Sequence, residues 1–272
     1  MRETIKRDTS KRNILGVLID ATDYQKATDF VFDAAREKRS AAISALAVHG
    51  LMTGVFNREQ KYRLNHFDLL VPDGQPVRWA LNLLYDTKLK DRVYGPNLTR
   101  KICERAAAEG VSVYFYGSTP ETLALLQRQI NKTWPNLKVA GMEPSKFRRM
   151  NVDEKRELVQ RIRTSGAEIL FVGLGCPRQE IFAFEFRETL NMPILAVGAA
   201  FPFLAGAINQ APAWMQTYGL EWLFRLMSEP KRLWRRYVYL NPAYVFLLTL
   251  QALRLSRFAP DGKSPAEELL YG

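Results

Sequence analysis

The sequence predicts an α/β fold: a Rossmann-like sandwich with a largely parallel sheet, followed by a helical C-terminal appendage. Two patterns carry this prediction. Up to about residue 208, short apolar runs alternate with segments of helical apolar spacing, as when parallel strands are joined by crossover helices. From residue 209 the alternation stops and helical patterning continues alone. A 47% apolar content is ample for a core. The last segment is too short to bury much of its own surface, so 209–272 is expected as an appendage and 14–208 as the α/β core. Residues 1–13 read as a flexible tail.

Residues 14–19 read as a strand. Residues 24–38 follow with helical spacing of Ala27, Phe30, Val31 and Ala34. A second strand, 43–48, ends at His49-Gly50, and a third, 67–71, feeds the turn Pro72-Asp73-Gly74. Residues 76–85 open a helix on Pro76, which suits the first turn. A helix over 97–109 ends at Gly110, and the strand 111–116 leads into Gly117-Ser118-Thr119-Pro120. Thr119 there is a plausible N-cap for a helix over 121–132. A short strand at 137–140, a helix at 152–164, a strand at 168–174, a helix at 178–190 and a strand at 194–197 complete the core. Helices are expected at 218–228, 231–240 and 243–258, broken by Glu229-Pro230 and Asn241-Pro242, with 259–272 disordered.

Ligands of parallel sheets gather at the carboxyl ends of the strands, where the polar and glycine-rich residues of this chain fall. Asp73 lies between Pro and Gly, a tight turn that can hold a carboxylate toward a crevice and let it take a proton; an ordinary Asx turn reads the same. Gly117 and Ser118 open a helix whose free N–H groups suit a diphosphate or ribose, or simple capping. Gly173, Gly175 and Arg178 belong to a second such junction, where glycine permits close approach and the amide of Gln179 can read a uracil or a sugar. His49 ends a strand at the same edge, as a substrate contact or a structural hydrogen-bonder.

Charge and cysteine usage narrow the classes. The chain carries +11 net, and between Arg225 and Arg257 seven basic residues face one acid, a segment suited to phosphates. No zinc-finger spacing or RNP-type motif accompanies it, so nucleic acid is not expected as a partner. Cys103 and Cys176 lie in different elements, which argues for a reducing compartment, and residues 1–13 show no apolar signal region; a cytoplasmic location is expected. Two Cys and two His at unrelated spacings make a zinc site as poor a reading as a Cys/His dyad. No metal site and no cofactor are expected. The stretch 237–253 is uncharged over 17 residues but interrupted by Asn241-Pro242. With Gln251, Arg254 and Arg257 recurring on one side, it reads as an interfacial amphipathic helix rather than a membrane span; a helix packed on the core or on another subunit reads the same, so a homo-oligomer stays open.

In order along the chain, the pieces resemble the WecG/TagA/CpsF family of bacterial glycosyltransferases (glycosyltransferase family 26). The carriers are Val71-Pro72-Asp73-Gly74, Phe171 through Glu180, Val197-Gly198, Ala211-Pro212 and Gly219 through Arg232. The resemblance implies transfer of a sugar, with inversion and without a required metal, from a UDP-sugar donor to a polyprenyl-diphosphate-linked sugar acceptor. It places Asp73 on the proposed general base and Gln179 on an active-site amide. Arg225, Arg232 and Arg235 fall on arginines of the appendage that close over the donor. The appendage also targets similar proteins to the membrane, so an anionic membrane surface, on the inner face of the cell membrane, is an expected partner. Where other members carry Ala-Thr-Pro-Asn, this chain has Ala47-Val48-His49-Gly50. The absence of any Asp-x-Asp agrees with an arginine cluster neutralising the leaving UDP. The rival expectation is a nucleotide- or nucleic-acid-binding regulatory protein that uses the same basic appendage without chemistry.

Overall fold

The computed structural model describes residues 10–272, leaving aside the side chains of Ala213, Arg232, Arg235 and Arg236. From edge to edge, six parallel strands line up as Leu69–Pro72 (β4), Ala41–Leu46 (β3), Pro193–Ala196 (β8), Ile169–Gly173 (β7), Ser112–Gly117 (β5) and Lys138–Glu143 (β6). The central strands are apolar throughout because both sheet faces are covered, and successive side chains enter opposite cores. In β7, Ile169 and Phe171 join one core while Leu170 and Val172 join the other. Tyr24–Arg36 (α1), Gly95–Glu109 (α5), Pro120–Thr133 (α6) and Ala200–Leu204 (α9) cover the first face. Val48–Phe56 (α2), Arg58–Asn65 (α3), Gln75–Tyr85 (α4), Val152–Thr164 (α7) and Arg178–Leu190 (α8) cover the second. Ala213–Thr217 (α10), Glu221–Ser228 (α11) and Pro230–Ala252 (α12) form the appendage.

Several expectations are corrected. The strand read at 14–19 is a hairpin, Lys11–Ile14 (β1) against Val17–Asp20 (β2); Leu15 and Gly16 turn it at φ 53° and 87°. His49 does not end a strand. β3 stops at Leu46, and His49 sits in the first turn of α2. The helices expected at 231–240 and 243–258 are one helix, α12, with Pro242 inside it and an end at Ala252. Packing on both sides of the proline outweighs its cost of about 3 kcal/mol. Leu233 and Tyr244 are buried, and the Tyr244 hydroxyl donates to the Pro76 carbonyl (3.0 Å). Gln251 turns inward, bonding Leu15 N–H (2.9 Å) and Asn13 O (2.9 Å), while Arg254 and Arg257 follow the helix rather than lining it.

The segment 259–272 is not disordered. Glu185 accepts the N–H groups of Leu269 and Leu270 (2.8 and 3.0 Å), Lys263 N–H reaches Arg58 O (2.9 Å), and Gly272 N–H reaches Arg148 O (3.1 Å).

Candidate active site

Asp73 leaves β4 at the carboxyl edge of the sheet. The turn is held from both sides: Asp73 N–H donates to Leu46 O on β3 (3.2 Å), and Val93 N–H donates to Pro72 O (2.9 Å). Gly74 has φ 108°, which a side chain rarely adopts, and it releases the chain into α4. Gly95, the first residue of α5, gives its N–H to the Asp73 carboxylate. A Cβ at Gly95 would stand 3.5 Å from Asp73 Oδ2 and 3.3 Å from Val197 O, so only glycine admits that approach comfortably.

Around this carboxylate lies a pocket of about 150 Å³. His49 enters it from the first turn of α2, Gln75 from α4, Arg92 and Tyr94 from the α4–α5 loop, and Glu221 and Arg225 from α11. Arg92 and Glu221 are both buried and joined by an ion pair, and the Arg92 guanidinium lies over the Tyr94 ring at 4.4 Å. Arg225 lies over the Phe203 ring at 5.9 Å, and its Nε has no hydrogen-bond partner among the described residues.

The balance of effects on Asp73 favours the neutral acid. Burial pushes its pKa up, and the Glu221 carboxylate pushes the same way. Arg92, Arg225 and the Gly95 N–H pull it down, and the outcome is a pKa of about 7. Burial raises the Tyr94 phenol as well, helped by Glu221 and Asp73. A carboxyl poised near neutrality, beside a cation with an open donor, can accept a proton while the arginine meets negative charge.

The other expected residues stand elsewhere on the same edge. Gln179 is buried. Its Oε1 accepts from Gly175 N–H (3.2 Å), and its Nε2 donates to Glu180 (2.8 Å), whose carboxyl also receives the Ser44 hydroxyl (3.1 Å). Burial raises the Glu180 pKa. A Cβ on Gly198 would touch the Gln179 amide at 3.5 Å, so the amide backs the loop after β8. Gly117 and Gly173 are demanded by packing whatever binds above them. A Cβ on Gly117 would lie 2.7 Å from the Gly173 backbone, and one on Gly173 would lie 2.8 Å from the Phe201 ring. Gly175, at φ 78°, faces open space, and Ser118 takes φ 62°. Arg178 opens α8 and is half-buried. The Asp73 pocket thus gathers His49 and Arg225, and the residues of the β5 and β7 ends do not line it. Arg232 lies on α12, past a break at Glu229 that ends α11; the side chains of Arg232 and Arg235 lie outside the described residues. His66 does not line the pocket; it stacks on Tyr62 at 3.9 Å.

Sequence reasoning gave no role to Arg92, Tyr94, Gln75 or Glu221. Glu221 stood within the quoted Gly219-to-Arg232 run. Arg92 sat in a mixed-charge loop with no motif, and only the fold shows the two meeting.

Among the described residues, no group of three or more His, Cys, Asp or Glu is placed to hold a metal ion, and no helix is long and apolar enough to cross a membrane. A model of the glycosyl transferase WecG/TagA/CpsF family matches residues 12–258.

Proposed function

The chain belongs to the WecG/TagA/CpsF glycosyl transferase family, whose members serve cell-envelope polymer biosynthesis, and within it we propose an inverting UDP-sugar transferase acting on a polyprenyl-diphosphate-linked sugar. The observation that carries this reading is Asp73, at a pKa of about 7, in one pocket with Arg225.

Asp73 takes the proton of the acceptor hydroxyl. The hydroxyl oxygen forms its bond to the anomeric carbon from the face opposite the nucleotide. The bond from that carbon to the diphosphate oxygen breaks, and UDP leaves with the electron pair. Arg225, with Arg232 and Arg235 from the next helix, neutralises the charge growing on the diphosphate. Arg is suited to this because its fork binds oxygens in pairs. His49 contacts substrate from α2. Gln179 positions the loop after β8, and Gly117, Ser118, Gly173, Gly175 and Arg178 extend the donor site along the strand ends. No metal is required. The family membership favours this chemistry over the non-catalytic nucleic-acid reading.

The appendage docks on the inner face of the cell membrane. Tyr239, Leu253 and Leu255 are exposed along and just beyond α12, and Arg254 and Arg257 stand beside them. Incubation with a panel of UDP-sugars and a short-chain prenyl-diphosphate sugar, followed by mass spectrometry, tests the reading. One donor is expected to add one sugar residue to the acceptor. No addition from any UDP-sugar, with salt-dependent oligonucleotide binding instead, would contradict it.

A further inference from the structure

A second concavity, about 730 Å³, opens between α11 and α12 and is almost wholly apolar. It adjoins the Asp73 pocket, and Trp222, Tyr237 and Asn241 line both. Away from the pocket it runs along α12 over Val238, Val245 and Phe246, which are 57%, 61% and 63% exposed. Its size falls within the roughly 300–1,000 Å³ of ligand clefts.

The two spaces differ sharply in chemistry. The Asp73 pocket holds two arginines and two carboxylates, whereas the groove offers aromatic and aliphatic carbon with the Asn241 amide at the boundary. A ligand that fills both must be amphiphilic, with a polar head at Asp73 and an apolar tail leaving past Trp222 and Tyr237. Accepting the proposed reaction, we infer that this groove binds the first isoprene units of the acceptor lipid. The chain is held along α11 and α12 while its diphosphate-linked sugar reaches Asp73. The groove is then a substrate subsite rather than a docking surface for the bilayer or for a second copy of the chain.

Val245→Trp tests this, since Val245 is exposed on the groove wall and lies outside the Asp73 pocket. The added ring narrows the groove at its wall. KM for a long-chain prenyl acceptor should rise about tenfold, the equivalent of about 1.4 kcal/mol, with kcat retained. Kinetics with a prenyl-free water-soluble acceptor, sedimentation behaviour and binding to anionic vesicles should be unchanged. Independently of any sugar transfer, a diazirine-tagged prenyl diphosphate should label the tryptic peptide 237–254, and Val245→Trp should reduce that labelling. Labelling elsewhere, or equal KM changes for both acceptors, overturns the inference while leaving the proposed reaction intact. So does a change in oligomeric state or vesicle binding, which would make the groove a contact between copies or with lipid. Labelling of 237–254 without sugar transfer from any UDP-sugar would sustain the groove and sink the reaction.

Discussion

The guanidinium of Arg92 and the carboxylate of Glu221 form a buried ion pair that joins the α4–α5 loop to the first turn of α11. The appendage is thereby fastened to the core at the edge of the Asp73 pocket, and the same carboxylate helps keep Asp73 protonated.

Removing one partner should be costly, because the other is left charged and buried. Glu221→Ala should lower unfolding stability by about 3–5 kcal/mol, read from denaturant midpoints. Glu221→Gln retains the shape and removes the negative charge beside Asp73. Its acid limb of kcat/KM should therefore move to lower pH than in the wild type. An unchanged limb would separate Glu221 from the electrostatics of the site.

The pH dependence of the wild type has a defined sign. In the proposed role Asp73 takes the proton only when ionised, so kcat/KM should climb as pH rises through about 7. Stability should run the other way at this residue. Its folded pKa lies above the unfolded value, so the stabilisation is complete below the ordinary carboxylate range and is lost as pH rises from about 4 through about 7. The difference in unfolding free energy between wild type and Asp73→Asn, measured across that window, isolates this contribution from Glu180 and Glu185, whose pKa values burial also raises. A flat difference would show that Asp73 is not buried against its charge.

Activity should survive excess EDTA. The sequence has no Asp-x-Asp, and among the described residues no cluster with ligand chemistry is assembled. Activity lost to the chelator and restored by magnesium or manganese would place a metal at the diphosphate.

The parts of the fold legible in the sequence were those with local signals. Val152–Thr164 was bounded correctly, and its start is a capping box in which Asn151 and Glu154 exchange hydrogen bonds. Arg178–Leu190 was bounded as well, ending at Asn191 in the left-handed conformation. What failed lacked a clear local signal or depended on distant contacts. α2 carries Gly50 and Gly54, which weaken a helical pattern. Both are packing requirements, since a Cβ would lie 2.5 Å from Leu46 at one and 2.9 Å from Leu64 at the other. The apolar run around Leu15 hid a two-residue turn, and Pro242 looked like a break because the partner of its neighbouring anchor Tyr244, the Pro76 carbonyl, is 168 residues away in sequence. At the site, Asp73 and Arg225 were legible as types in a turn and a basic helix. Their meeting, and the Arg92–Glu221 pair between them, needed the sheet to bring β4 and α11 together.

Membrane docking should depend on the outward carbon beyond the groove. Leu253→Asp with Leu255→Asp should reduce pelleting with anionic vesicles, and Arg254→Ala with Arg257→Ala should weaken it by about 1 kcal/mol per charge removed. Both pairs are exposed, so folding should be kept, as should turnover of a water-soluble acceptor. Point changes suit this better than truncation after residue 240, which would remove the buried Tyr244 and the contacts of Gln251 and 259–272 with the core. Undiminished vesicle binding in the quadruple variant would locate docking elsewhere.

The proposed role of Asp73 as the base is tested most directly by the turnover of Asp73→Asn alongside its affinity for UDP. Asn keeps the size and turn geometry but cannot take the proton. Turnover should fall by roughly 10²–10⁴, the usual range for a lost general base, with UDP binding essentially kept because Arg225 is untouched. Near-normal turnover in the purified, folded variant would contradict the account.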